Sequence, residues 1–271
     1  MTTGTDANPI TFEPVEFQPS ITWRQISSFA FVGRLPQIPL SDSELLQSSH
    51  HLPLAIDCSS DRLQVVAITA GPFQRTPLLN TEGRWQRGYT PIALRCFPFR
   101  YSGSTLEIAT NAGAETDTTL PLLSSDGSAT PEIKNIIALL RRLEVGKQRL
   151  HAAAERLLIA GVLTPFQMMK LPDTAILSPL LTVDRNKFNA LSDRRIAQIA
   201  RDDFLPLDVA AACLFSQRLT PAAISVAKKS ADIGEPSRAT GQTDIEFGSG
   251  IELDDSELFS FETFDRVDHL S

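Results

Sequence analysis

The sequence predicts an α+β domain in which an N-terminal, antiparallel or mixed β-rich part packs against a C-terminal set of helices. Short apolar runs separated by Gly, Pro and Ser fill the first half of the chain. From Pro131 onward, apolar residues instead recur at intervals of three and four, as on one face of a helix. Strands followed by helices, without regular alternation, are typical of α+β domains and not of parallel α/β sheets.

A third observation is the change of composition near the C-terminus. There the chain becomes dominated by Asp, Glu, Gly, Ser and Thr, which predicts a disordered acidic tail. We therefore divide the chain into an extended N-terminal arm (1–22), an α+β domain (23–228) and the acidic tail (229–271). Within the domain, 23–125 is predicted to be β-rich and 130–222 to be helical.

The net charge of −7 is concentrated in the tail. Residues 232–271 contain 11 acidic and two basic residues, so the rest of the chain, with 21 acidic and 23 basic residues, is nearly neutral. A nearly neutral domain argues against nucleic acid as a partner. The N-terminus lacks a basic and apolar signal, and no run reaches the ~20 apolar residues of a membrane span. We therefore expect a cytoplasmic protein without membrane insertion, and the three Cys, which form no CxxC pair, as reduced thiols.

The predicted β-rich part consists of short segments. Phe12, Val15 and Phe17 have the spacing of an edge strand in the arm. The apolar run LQVVAIT (63–69) is typical of a central strand. Ser and Asp followed by acidic residues predict a short helix that starts at 41–46 and ends by Pro53. The other predictions are strands at Trp23–Val32, Leu52–Ile56 and Tyr101–Ala109, the last returning in a hairpin, and a surface loop at Thr110–Thr119.

The helical part is predicted to begin at Thr130, because the Pro and Glu that follow it suit the first turn of a helix. The apolar repeat then predicts one long helix up to Gly161, or two helices in line with a kink near Gly146. Two shorter helices are predicted, one capped by Ser192 and ending near Leu205-Pro206, and one at about Asp208–Leu219.

The stretch Gly83–Phe99 (GRWQRGYTPIALRCFPF), here called the aromatic block, concentrates rings and guanidinium groups in a chain with few aromatic residues. Its rings could form a stacking floor, and its Arg could clamp an acidic side chain or the terminal carboxylate of a peptide. The candidate binding residues are Arg84, Trp85, Arg87, Tyr89, Arg95, Phe97 and Phe99. A structural role is the alternative, in which a turn-rich hairpin plugs the interface between sheet and helices with its rings. The two roles are compatible.

The aromatic block resembles the Gly-x-Trp…Tyr-x-Pro…Arg-x-x-Pro-Phe pattern of the SapC family of bacterial proteins, which is named for a component linked with surface-layer (S-layer) protein systems. IPLSDSELLQSSHHLPLAI, LLSSDGSATP, LTVDRNKFNALSD and LFSQRL are similar to further segments of that family. The resemblance covers about Trp23–Ala222. It implies an accessory protein of surface-protein systems and no particular catalytic mechanism.

Catalytic and metal-binding patterns are missing from the sequence, which contains no GxSxG, HExxH, P-loop or GxGxxG pattern. Adjacent His50 and His51 point in different directions on a helix or strand, so we expect no metal site and no cofactor. A nucleophilic Cys58 or Cys96, with one of these His as its base, stays open because such partners meet only in the fold. Packed, unreactive thiols are the alternative.

In the tail, apolar residues alternate with acids along DIEFGSGIELDDSELFSFETF (244–264). This pattern is typical of a segment that docks into a basic, apolar groove and folds there. Docking in cis onto the aromatic block, docking in trans and a fully solvated tail are all compatible with it. The candidate docking residues are Phe247, Leu258, Phe259, Phe261 and Phe264.

These observations favour a non-catalytic, cytosolic accessory protein that binds a peptide or protein client through the aromatic block. One alternative is an enzyme that modifies or hydrolyses a peptide or surface polymer with a site that spacing does not reveal. Another is a structural subunit of a larger assembly. The sequence leaves the client and the oligomeric state open.

Overall fold

The structure is a computed structural model that describes residues 9–18, 20–111, 113, 115–166 and 179–221. In chain order, the strands are β1 Phe12–Pro14, β2 Thr22–Ile26, β3 Gln37–Pro39, β4 Leu54–Asp57, β5 Gln64–Ile68, β6 Phe99–Ser102, β7 Thr105–Ala109, β8 Glu115–Pro121, β9 Leu163–Pro165 and β10 Leu180–Val183. The α-helices are α1 Leu45–Ser49, α2 Ile92–Arg95, α3 Pro131–Ile159, α4 Arg185–Asn189, α5 Asp193–Ile199 and α6 Leu205–Ser216. The fold is α+β, as the sequence predicts.

Three antiparallel sheets organise the strands. The largest has the order β3-β5-β4-β10-β9, and the others are β1-β7-β6 and the pair β2-β8. The central strands β4 and β5 are almost completely buried, because one face packs on α3 and α6 while Phe73 and Leu180 cover the other. A strand that is buried on both faces has a continuous apolar sequence. The strand predicted at 63–69 is confirmed, because β5 covers Gln64–Ile68.

The long helix α3 joins two hydrophobic cores. It begins after Thr130, whose hydroxyl accepts a hydrogen bond from the amide of Ile133, and it ends before Gly161 at φ +75°. Its first half packs with Trp23 and Phe99, and its second half packs on the large sheet. The helix is continuous through Gly146, which confirms the single long helix.

Two of the predicted elements in the β-rich part are wrong. The segment predicted as a loop at Thr110–Thr119 contains most of β8, which pairs with β2 in a register that places Leu120 opposite Trp23. The strand is supported by backbone pairing with a distant segment, and its own sequence has few apolar anchors. The strand predicted at Trp23–Val32 ends at Ile26, and Ala30–Arg34 forms a 3-10 helix.

The prediction that a helix ends near Leu205-Pro206 is wrong. The helix that follows Ser192 ends at Ile199, and Pro206 lies in the first turn of α6, where its missing N–H is not needed. Strands β9 and β10 and helix α4 are not among the elements that the sequence predicts. Since β10 pairs with β4, the C-terminal half of the chain contributes strands to the large sheet.

The N-terminal edge strand is confirmed, because β1 pairs with β7. The short helix at 41–46 is present as a 3-10 turn, Asp42–Glu44, that leads into α1. The predictions for the acidic tail, including its docking residues Phe247, Leu258, Phe259, Phe261 and Phe264, lie outside the described residues. Over the described ranges, no helix is long and apolar enough to cross a membrane.

Gly146 marks the place where the Asp42–Glu44 turn crosses α3. A Cβ at this position would clash with the Ser41 hydroxyl and would lie 2.8 Å from the amide nitrogen of Asp42. Arg149, one turn further along α3, forms an ion pair with Asp42. The glycine in the middle of α3 therefore permits close packing of the turn against the helix. It does not kink the helix.

We expect Gly146→Ala to destabilise the protein by about 1–3 kcal/mol, although Ala favours helices, because the backbone of Asp42 would have to move. Val145→Ala is the matched control at the exposed neighbouring position, where we expect a change within about 0.5 kcal/mol. Urea unfolding measures both. A more stable Gly146→Ala variant would contradict the close crossing.

Candidate functional site

The aromatic block is not a β-hairpin. It begins with an isolated bridge between Leu79 and Trp85, continues through a loop into the one-turn helix α2, and ends in β6. Its position depends on Glu44, which the sequence analysis did not assign to the site. Glu44 is only 2% exposed, so its carboxylate needs partners within the protein.

The two carboxylate oxygens of Glu44 bind different parts of the chain. Oε1 accepts a hydrogen bond from the amide of Ser41 at 2.9 Å, as in a capping box. Oε2 accepts one from the Tyr89 hydroxyl at 2.9 Å and one from the amide of Ile92 at 2.8 Å. The Ser-x-x-Glu spacing indicates the hydrogen bond between Glu44 and the amide of Ser41. It does not indicate the hydrogen bonds from Tyr89 and Ile92.

Tyr89 therefore faces inward. Burial, together with the adjacent Glu44 carboxylate, raises the pKa of its phenol, so the hydroxyl stays protonated and continues to donate. The guanidinium of Arg95 lies 5.9 Å from the centre of the Tyr89 ring, in cation–π range. Tyr89 thus connects Glu44 in the interior with Arg95 at the surface.

Two other aromatic residues of the block are held by internal contacts. Trp85 is half-buried, its indole N–H donates to the carbonyl of Tyr89 at 2.8 Å, and its ring lies 5.8 Å from that of Phe29. Phe99 is 1% exposed and packs edge-on against Trp23 at 5.1 Å. Phe99 occupies a core position, which matches the structural alternative for this residue.

Other candidate residues lie at the surface. Arg84 is exposed and pairs with Glu82 at 3.1 Å. Arg95, at the end of α2, is also exposed, and no carboxylate of the described residues lies within ion-pair distance of it. Phe97 is half-buried and stacks face to face on Phe31, with ring centres 3.8 Å apart.

Arg95 and Phe97 form one side of a surface pocket of about 180 Å³, here called the Phe97 pocket. The remaining lining comes from the end of β2, from the following 3-10 helix and the residues between them, and from α2. These residues are Gln25, Ile26, Ser27, Ser28, Phe29, Phe31 and Leu94. The lining is mixed: its Phe rings suit an apolar side chain, and its polar groups, with the guanidinium at the edge, suit a carboxylate.

The three cysteines differ in their burial. Cys96 and Cys213 are buried, and burial raises the pKa of each thiol to about 12. Cys58 is half-buried, and its thiol donates to the carbonyl of Pro179 at 3.0 Å. Thiols with a raised pKa remain protonated near neutral pH and are poor nucleophiles.

His50 and His51 point in different directions, as expected. The ring of His50 lies 4.7 Å from that of Phe215, whereas His51 lies against Gly88. Within the described part of the chain, no group of three or more His, Cys, Asp or Glu side chains could hold a metal ion.

The fold and the Phe97 pocket together define an α+β protein with a small, partly apolar pocket that has an arginine at its edge. The SapC family model matches residues 19–221. The chain belongs to the SapC family. No curated protein and no solved structure matches the chain.

We expect Glu44→Gln to destabilise the protein by about 2 kcal/mol or more, because an amide cannot replace both oxygens as acceptors for three donors. Tyr89→Phe should lower the free energy of unfolding by about 1.5–3 kcal/mol. In the double variant we expect a coupling of about 0.5–3 kcal/mol, measured by urea unfolding.

Glu82→Gln is the control for this cycle, because Glu82 and its partner Arg84, 3.1 Å apart, are both exposed. Surface pairs contribute about 0–1 kcal/mol, so a small effect is expected. Additive effects of Glu44→Gln and Tyr89→Phe would show that their hydrogen bond does not hold the aromatic block in place.

Proposed function

We propose that this member of the SapC family is a non-catalytic protein that binds a peptide segment of a client protein at the Phe97 pocket. The main observation that supports this proposal is the exposed guanidinium of Arg95 at the edge of a pocket that is lined by Phe29, Phe31 and Phe97. An apolar side chain of the client would enter the pocket, and a neighbouring carboxylate would bind Arg95.

The size of the pocket supports a peptide side chain as the occupant. A cavity of about 150 Å³ accepts benzene, so the 180 Å³ of the Phe97 pocket can hold one aromatic ring. Pockets for whole small molecules are larger, at about 300–1,000 Å³. An acidic peptide that contains a Phe residue supplies both groups, one ring for the pocket and one carboxylate for Arg95.

The charges around the pocket support a carboxylate of the client as the group that binds Arg95. Arg84 has its own partner in Glu82, whereas Arg95 interacts with Tyr89 and has no carboxylate partner among the described residues. Since Glu44 holds Tyr89, the ring that supports Arg95 is fixed before a ligand arrives. A positioned donor loses less entropy on binding than a free one.

The client class and the compartment are part of the same proposal. The client is a protein of a surface-layer system, which is what the resemblance to the family implies, and the binding takes place in the cytosol. The α+β domain at 23–228 is the binding unit.

Arg95→Gln should weaken binding of a fluorescently labelled Ser-Phe-Glu-Ser peptide by about tenfold or more, because a charge-assisted hydrogen bond is lost. Fluorescence anisotropy with the full-length chain measures this. Arg84→Gln is the matched control, since it removes an exposed guanidinium that already has a partner, and it should bind like the unchanged protein.

The same assay with a Ser-Phe-Gln-Ser peptide separates the carboxylate from the ring, provided that both peptides are amidated at the C-terminus so that Glu supplies the carboxylate. This peptide should bind equally to the Arg95→Gln variant and the unchanged protein. Trp85 and Tyr89 are unsuitable for substitution here, because their internal hydrogen bonds would be lost with them. If Arg95→Gln and Arg84→Gln bind the acidic peptide alike, with unchanged thermal unfolding, the Phe97 pocket is not the binding site.

A further inference from the structure

Four basic side chains come together between the end of α1 and the end of α6. They are His50, His51, Arg87 and Arg218, here called the basic cluster, and two of them, His50 and Arg218, lie against the exposed ring of Phe215. With the exception of Arg87, these residues lie outside the aromatic block, and none of the four lines the Phe97 pocket.

His50 and Arg218 share one aromatic support. The ring of Phe215 is 39% exposed, the His50 ring lies 4.7 Å from it, and the guanidinium carbon of Arg218 lies 3.7 Å from its centre. Stacking on a ring orients a guanidinium and leaves its N–H groups free to bind an anion. The ring thus holds the imidazole and the guanidinium near each other.

His51 and Arg87 are brought together by a glycine. A Cβ at Gly88 would lie 3.1 Å from Cε1 of His51, so the absence of a side chain lets the loop that carries Arg87 lie against the imidazole. One terminal nitrogen of Arg87 donates to the carbonyl of Thr76 at 2.6 Å. Its Nε is buried and has no hydrogen-bond partner among the described residues.

The basic cluster lacks a counter-ion within the part of the chain that the structure describes. Arg100 and Arg156 pair with carboxylates at 2.8 Å, whereas none of the four residues has a carboxylate within ion-pair distance. Burial lowers the pKa of His51, and the positive charges of His50, Arg87 and Arg218 lower it further. The groups that face His51 from α1, from the loop and from the end of α6 therefore all repel its proton.

We propose that the basic cluster is a binding site for a phosphoryl dianion, either inorganic phosphate or a phosphate monoester. Two guanidinium groups carry two positive charges, and together with two imidazoles they offer more donors than one carboxylate can satisfy. A phosphoryl group carries a charge of about −1.5 to −2 and three acceptor oxygens, which match the cluster. Binding cancels the repulsion among the cationic groups and favours the protonated form of His51.

The test uses NMR of the histidine imidazole groups in the full-length chain. The His51 signal is assigned by its loss in His51→Gln, and the pKa of His51 is measured in chloride, in inorganic phosphate and in methyl phosphate at equal ionic strength. Either phosphoryl compound should raise the pKa of His51 relative to chloride. A stronger effect of methyl phosphate identifies a monoester site, and an equal effect identifies a site for the phosphoryl group alone.

Calorimetric titration with the same compounds measures affinity. Arg218→Gln should weaken binding by about tenfold or more, because a charge-assisted contact is lost, and it should fold normally because Arg218 is exposed. Arg100→Gln is the control, since it removes an arginine that is paired with Glu107, and it should bind like the unchanged protein.

Two results would overturn the proposal. One is a pKa of His51 that is the same in chloride, phosphate and methyl phosphate. The other is equal binding by the unchanged protein, Arg218→Gln and Arg100→Gln, which would indicate an adventitious ion only. Circular dichroism on each variant confirms that it is folded, so that a loss of binding is assigned to the site.

Discussion

The arrangement of this protein depends on one buried carboxylate. A charged group away from water is tolerated only when its hydrogen bonds are made within the protein. Glu44 meets this requirement with donors from Ser41, Tyr89 and Ile92. It therefore connects a turn near the start of α1 to the aromatic block, and that same turn presses against α3 at Gly146.

This connection determines which parts of the aromatic block remain available to a ligand. Trp85 and Tyr89 are turned inward by hydrogen bonds, and Phe99 lies in the core beside Trp23. The short helix α2 then places Arg95 at the surface, where the inward-facing Tyr89 ring supports it. The structural and the binding roles of the aromatic block are thus divided among its residues, because the anchored rings position the exposed guanidinium.

The candidate site was only partly predictable from the sequence. The local concentration of rings and arginines indicated Arg95 and Phe97, which both line the Phe97 pocket. Two further lining residues, Phe29 and Phe31, come from a segment more than 60 residues earlier in the sequence, and no spacing rule joins the two segments. The basic cluster is similar in this respect, since it combines the end of α1, one arginine of the aromatic block and the end of α6.

The sequence by itself determined the features that depend on neighbouring residues. These are the start of α3 at Thr130, its end at Gly161, and the apolar run of β5, because capping, turn geometry and apolar periodicity involve residues only a few positions apart. Only the tertiary structure decided the pairing of β8 with β2, the place of β10 beside β4, and the partners of Glu44. Strand pairing and the neutralisation of a buried charge need groups that lie far apart in the chain, and folding alone brings those groups together.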